Sequence, residues 1–109
     1  MRRDLPSQFE STRVSGNTTI RSHDVLMGGL YVTDTSGITM TLPPPADAIK
    51  GAECLIVNNS IGNVTVACAD GFPNSSDALT LAAGASVWLY CAQVSGTLYR
   101  WASVGATAS

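Results

Sequence analysis

Apolar and polar residues alternate along most of this chain. Ile38, Met40 and Leu42 are separated by Thr39 and Thr41, Val64 and Val66 flank Thr65, and Val87, Leu89 and Cys91 are interleaved with Trp88 and Tyr90. A period of two places successive side chains on opposite faces of an extended strand, with one set in the core. Further short strands are predicted over Thr18 to Arg21, Leu30 to Thr33, Leu79 to Leu81 and the stretch around Leu98 to Trp101. The run Cys54-Leu55-Ile56-Val57 is apolar without interruption, which predicts a central strand packed on both sides or crossing the middle of a sandwich.

Turn chemistry separates these strands. Asp34-Thr35-Ser36-Gly37 predicts a hairpin of Leu30 to Thr33 with Ile38 to Leu42, because Asp and Ser bond their own backbone and Gly37 accepts a positive φ. Asn58 to Asn63 predicts a second hairpin, leading from Cys54–Val57 into Val64–Ala69. Ala82-Ala83-Gly84 predicts a third, joining Leu79–Leu81 to Ser86–Ala92. Pro43-Pro44-Pro45 ends its strand, since proline cannot donate to a ladder. Ala46 to Lys50 then predicts one helical turn between Pro45 and Gly51. Asp70 to Asp77 reads as the longest polar loop and an exposed tip. Val25-Leu26-Met27 before Gly28-Gly29 reads as an apolar edge and a break, and Gly105 to Ser109 as a small, loose tail. The expected fold is all-β: a small antiparallel β-sandwich or barrel-like module over residues 17–109, with an extended N-terminal arm over residues 1–16. No internal repeat of 20 to 50 residues stands out.

Composition narrows the function. At 109 residues the chain is one domain. Charged residues are 13% of it against 45% hydrophobic, about half the usual charged share of ~25%, so Ser, Thr, Asn and Gly must cover the surface. A net charge of −2 offers nucleic acid no general attraction. Four of the six basic residues, Arg2, Arg3, Arg13 and Arg21, nevertheless lie within the first 21 positions. With Leu5 and Phe9 as apolar anchors, the arm is expected to engage a partner through Arg2, Arg3, Leu5, Phe9 and Arg13. The start Met-Arg-Arg-Asp lacks an apolar signal segment and no run of 18 apolar residues occurs, so the expectation is a protein made in a cytoplasm and without a membrane partner.

Candidate chemistry is sparse. Cys54, Cys68 and Cys91 are odd in number, far apart and set among apolar residues, which predicts buried free thiols. His23 is the one histidine and no metal-ligand spacing surrounds it, so neither metal nor other cofactor is expected. Ser22-His23-Asp24 contains the residue types of a hydrolytic triad, but consecutive residues cannot converge, and a polar strand end or turn is expected instead. Asp70 and Asp77 are paired carboxylates in a loop with no third convergent group, so the chain is not expected to be an enzyme. Asn17, Asn58, Asn63 and Asn74 begin Asn-x-Ser/Thr motifs that read as turn and strand residues. The aromatic side chains are the sharper signal. Strand Ser86–Ala92 is apolar on both faces, so Trp88 and Tyr90 need a partner surface; Trp101 is assigned to the same oligomer or partner interface.

The succession Ile38-Thr39-Met40-Thr41-Leu42-Pro43, helical turn, Leu55-Ile56-Val57-Asn58-Asn59, Gly62-Asn63-Val64-Thr65-Val66 and Leu79-Thr80-Leu81-Ala82-Ala83-Gly84-Ala85-Ser86-Val87, closed by an aromatic strand, resembles a small β-rich module of tailed-bacteriophage virion proteins. The likeness covers residues 30 to 103. Such modules occur in tail fibres and as free-standing head decoration, or cement, proteins; a module plus a short arm is more similar to the latter. The resemblance implies a structural protein on the outside of an assembled capsid, stabilising it by bridging subunits, with the major capsid protein as partner and a homotrimer as oligomeric state. The alternative it implies is a tail-fibre or receptor-binding module, in which Trp88, Tyr90 or Trp101 stacks on a sugar beside the Asp70–Asp77 loop.

Overall fold

The structure is a computed structural model describing residues 11–26 and 28–106. Among the described residues nine strands form two facing sheets: β1 (Thr12–Arg13), β2 (Thr18–Thr19), β3 (Gly29–Thr33), β4 (Thr39–Thr41), β5 (Glu53–Asn58), β6 (Val64–Phe72), β7 (Ser76–Leu81), β8 (Ser86–Ser95) and β9 (Leu98–Val104). The first sheet has the order β1-β3-β5-β8-β9 and the second the order β2-β4-β6-β7. The expected all-β class holds, and β5 is the central strand of its sheet.

Pairing within the sheets departs from the expected antiparallel pattern. β1, β3 and β5 run parallel, as do β2, β4 and β6; β7, β8 and β9 add antiparallel partners. Consecutive strands lie in different sheets at β3/β4, β5/β6 and β7/β8, so these pairs are not hairpins. The true hairpins are β6/β7 and β8/β9. Polar turn residues reverse the chain equally well across a corner, about 10 Å from sheet to sheet, or along a ladder of about 4.8 Å. The corners stack as the strands do: Asn59 N–H donates to Thr33 C=O at 2.7 Å and Gly37 N–H to Asn63 C=O at 2.8 Å. Gly37, at φ 77, supplies the left-handed residue that this corner needs.

The core lies between the sheets and draws on every alternating segment: Ile38, Met40 and Leu42, Val64 and Val66, Leu79 and Leu81, Val87, Leu89 and Cys91 are all buried. The three prolines lead into a short 3-10 turn, Asp47–Ile49, with Ile49 buried and Gly51 at φ 87 immediately beyond Lys50. This matches the expected connector. Ser22–Leu26, expected as strand end and apolar edge, instead forms one helical turn, α1, that buries Val25; Met27 lies outside the described residues. Residues 12–14, expected in the arm, belong to the sheet: β1 pairs with β3, Val14 is buried and its N–H donates to Val32 C=O at 2.9 Å. At the other end Ala106, expected in the loose tail, packs on the core and its carbonyl accepts from Ser103 Oγ at 2.7 Å; residues 107–109 lie outside the described residues.

One buried amide ties the corners together. Asn58 Nδ2 donates to the carbonyls of Gly62 and Leu81, each at 2.9 Å, and of Ala82 at 3.0 Å, while Oδ1 accepts from Ser60 N–H at 3.0 Å and Ser60 Oγ at 2.6 Å. This clasp joins the β5–β6 corner to the β7–β8 corner, where a buried Asn is tolerated because both ends of its amide are bonded.

Candidate interaction surface

The two sheets present opposite chemistry to solvent. On the outside of the second sheet, Thr39 sits opposite Thr65 and Thr65 opposite Thr80, with Thr19 opposite Thr41 in the next row. That face is hydroxyl-lined and suited to water. On the first sheet the register aligns Leu30, Leu55, Trp88 and Val104 in one row across β3, β5, β8 and β9. Val32 and Val57 form the adjacent row on one side, and Tyr90 faces Ala102 on the other.

Trp88 is 43% exposed, Tyr90 36%, Leu55 37% and Val104 53%. Bare apolar side chains grouped on one sheet face, rather than scattered singly, mark an interaction surface. The two rings lie 5.4 Å apart between centroids, tilted by 44°. Glu53 is the one charged residue beside them in this register, and its Oε1 accepts the Trp88 indole N–H at 2.9 Å. Other charges stand at the rim and are paired: Arg13 with Asp34 at 2.7 Å on the β1 side, Arg100 with Asp70 at 3.6 Å on the β9 side. The Arg13 guanidinium hydrogen-bonds the Asp34 carboxyl and holds its pKa below the usual carboxylate value. An apolar centre inside a polar rim is the anatomy of a protein–protein interface.

Trp101 does not belong to this surface. It is 0% exposed and points between the sheets, its indole N–H donating to Pro43 C=O at 2.8 Å. Pairing across the β8–β9 turn explains this: Trp101 faces Cys91, on the inward set of β8, while Trp88 faces Val104 on the outward set. The expected packing of Cys54–Val57 on both sides is likewise corrected within the chain, since Leu55 and Val57 face outward. Two strands with no polar face, read together, carried the signal for the whole surface; Leu30, Val32, Leu55, Val57 and Val104 were not singled out because each looks like ordinary core alone. Arg13 lies on β1, ion-paired rather than in a free arm. Arg2, Arg3, Leu5 and Phe9 lie outside the described residues.

The remaining candidate groups lie elsewhere in the fold. Cys54, Cys68 and Cys91 are buried free thiols; burial raises all three pKa values, Cys54 to about 12 and Cys68 to about 11. Ser22, His23 and Asp24 share one helical turn, with His23 Nε2 3.3 Å from Asp24 Oδ1. Asp70 to Asp77 is not a long polar loop: β6 runs through it to the buried Phe72, and Pro73–Ser75 turns directly into β7. Asp70 N–H donates to Asp77 Oδ1 at 2.7 Å across that hairpin. Among the described residues no group of three or more His, Cys, Asp or Glu side chains is placed to hold a metal ion, and no helix is long and apolar enough to cross a membrane. Tyr99 O–H donates to Asp47 Oδ1 at 2.7 Å, and that bond raises the phenol pKa.

No family model, curated protein or solved structure matches this chain.

Proposed function

We propose that the chain is a structural virion protein that binds the outside of an assembled phage capsid and stabilises it by bridging capsid subunits. One observation carries the reading: the outer face of the five-stranded sheet is apolar across four strands, with its charges paired at the rim. Such a face supports a role in protein assembly over a catalytic one. The resemblance to phage virion modules supplies the capsid as the setting. In this reading the protein acts as a homotrimer, and the arm with Arg2, Arg3, Leu5 and Phe9 gains its contacts on the capsid lattice, offset by the entropy of ordering it.

The carbohydrate alternative is less well supported. The rings are tilted against each other and aliphatic side chains flank them, whereas a sugar also needs hydrogen-bonding groups beside its stacking platform. The Asp70–Asp77 segment, invoked to supply such groups, belongs to the other sheet and reaches the rim through Asp70, whose carboxylate is engaged by Arg100 at 3.6 Å.

The test mixes purified protein with capsids that lack it and measures co-sedimentation and resistance of the shell to heat. The full chain is expected to bind and to raise the rupture temperature, and a variant lacking residues 1–10 to fold normally without binding. Full occupancy by that variant removes the arm from the mechanism. Absence of binding by the full chain, or density confined to the tail in electron micrographs of the virus, refutes the capsid role.

A further inference from the structure

We infer that residues 3–8 cap the open end of the sandwich of their own chain, laid on the helical turn α1 with Leu5 packed against it. The inference goes beyond the capsid reading and gives the arm a position on its own chain, from which a capsid lattice would have to release it.

The parallel pairing makes the first half of the fold a coil. β1 with β2, β3 with β4 and β5 with β6 are three successive two-strand rungs, each stacked on the next in both sheets. At the far end β7, β8 and β9 close the stack with antiparallel partners. Among the described residues β1 and β2 are both edge strands, so the near end is open in the two sheets at once. A stacked coil needs a cap at such an end, and native sheets cover an exposed edge with a helix or a loop.

The chain before β3 and the chain before β5 repeat one arrangement. Before β3 it makes the turn α1, which buries Val25; before β5 it makes the 3-10 turn Asp47–Ile49, which buries Ile49, and the two turns pack against each other. Tyr31 and Ile56 are register partners, with Val25 six positions before the one and Ile49 seven before the other. The partner of Tyr31 in β1 is Thr12, and seven and six positions before Thr12 stand Leu5 and Pro6. Leu5 thus holds the place of the apolar residue that the two later corners bury. Counted as in the third rung, Pro6 falls just beyond the turn, where proline stops a helix. α1 offers a bare apolar side chain to meet it, since Leu26 is 51% exposed.

Reach and tethering select this occupant. Six positions separate Leu5 from Ser11, at most about 22 Å of extended chain, whereas neighbouring rungs lie about 4.8 Å apart. Because β1 runs parallel to β3 and α1 directly precedes β3, the arm enters at the end of the sandwich where α1 lies. A segment on so short a tether acts at an effective concentration in the millimolar range, which a free partner rarely matches.

Backbone 15N relaxation of the full chain tests the inference, with circular dichroism for folding. In the wild type the amides of residues 3–5, 7 and 8 are expected to show order parameters near the ~0.85 of rigid backbone, and in Leu26→Asp, which sets a carboxylate against Leu5, to fall below about 0.6. Should Leu26→Asp unfold, Leu5→Asp removes the other half of the same contact. Order parameters below about 0.6 in the wild type, or unchanged order in a folded variant, overturn the inference. Order that is lost on about tenfold dilution overturns it as well, because the cap then comes from a second copy. Co-sedimentation with capsids reads the earlier proposal separately: capsid binding by a protein whose arm is loose removes the cap alone, and a capped arm on a protein that ignores capsids removes the capsid alone.

Discussion

Replacing Asn58 by alanine removes the clasp that holds two sheet-to-sheet corners together. The amide is completely buried and engages three carbonyls and Ser60. The Leu81 carbonyl lies deepest, and leaving it unpaired costs about 1–3 kcal/mol; Gly62, Ala82 and Ser60 regain part of their bonding from water and add smaller terms. The sum is about 3–4 kcal/mol, a large share of the ~5–15 kcal/mol that holds a domain of this size together. Urea denaturation at fixed protein concentration measures it as a lower midpoint at unchanged slope, and thermal melting as a fall of roughly 12–25 °C. Asn58→Asp is expected to be worse at neutral pH, because a carboxylate faces carbonyls where donors stood. Its folded-state pKa is raised, so that excess is small below the unfolded carboxylate value and grows as pH rises through it. A loss below about 1 kcal/mol in Asn58→Ala, or an aspartate variant equal to the alanine one at every pH, would refute the clasp.

Two more predictions concern the buried interior. Trp101→Phe leaves the Pro43 carbonyl with only the weak Cys68 thiol donor at 3.6 Å and opens a gap between β9 and the proline run, and is expected to cost about 1–3 kcal/mol by urea denaturation; an unchanged midpoint would show that the indole N–H bond adds nothing. The three thiols should resist a disulfide reagent at pH 8 in the native protein and react completely in denaturant. Since burial raises their pKa values, Cys54 to about 12 and Cys68 to about 11, the unfolded chain ionises first. Stability should therefore fall as pH rises above about 8.5, and a flat profile from pH 8 to 10 would contradict the burial.

Local sequence was enough to place most strands from Gly29 onward, the inward set of the alternating ones and the stop at the prolines, but not β1, the helical turn at Ser22–Leu26 or the strand through Asp70–Phe72. Alternation at Ile38–Leu42 and Val87–Cys91, the proline block before Asp47–Ile49, and cysteines embedded in apolar runs all act over a few residues, so their consequences survive any arrangement of the sheets. Partnering does not. Asp34–Gly37 and Asn59–Asn63 promise a change of direction, and whether the chain lands on the neighbouring strand or the opposite sheet depends on where distant β5 and β6 supply partners. The same long-range register sends Trp101 inward beside Cys91 and leaves Trp88 outward beside Val104, although both are tryptophans in alternating strands. It also gathers Leu30, Leu55, Trp88 and Val104, separated by up to 74 positions in sequence, into one row. Each is a plain strand residue by itself, and only the stacking of four strands makes them a surface.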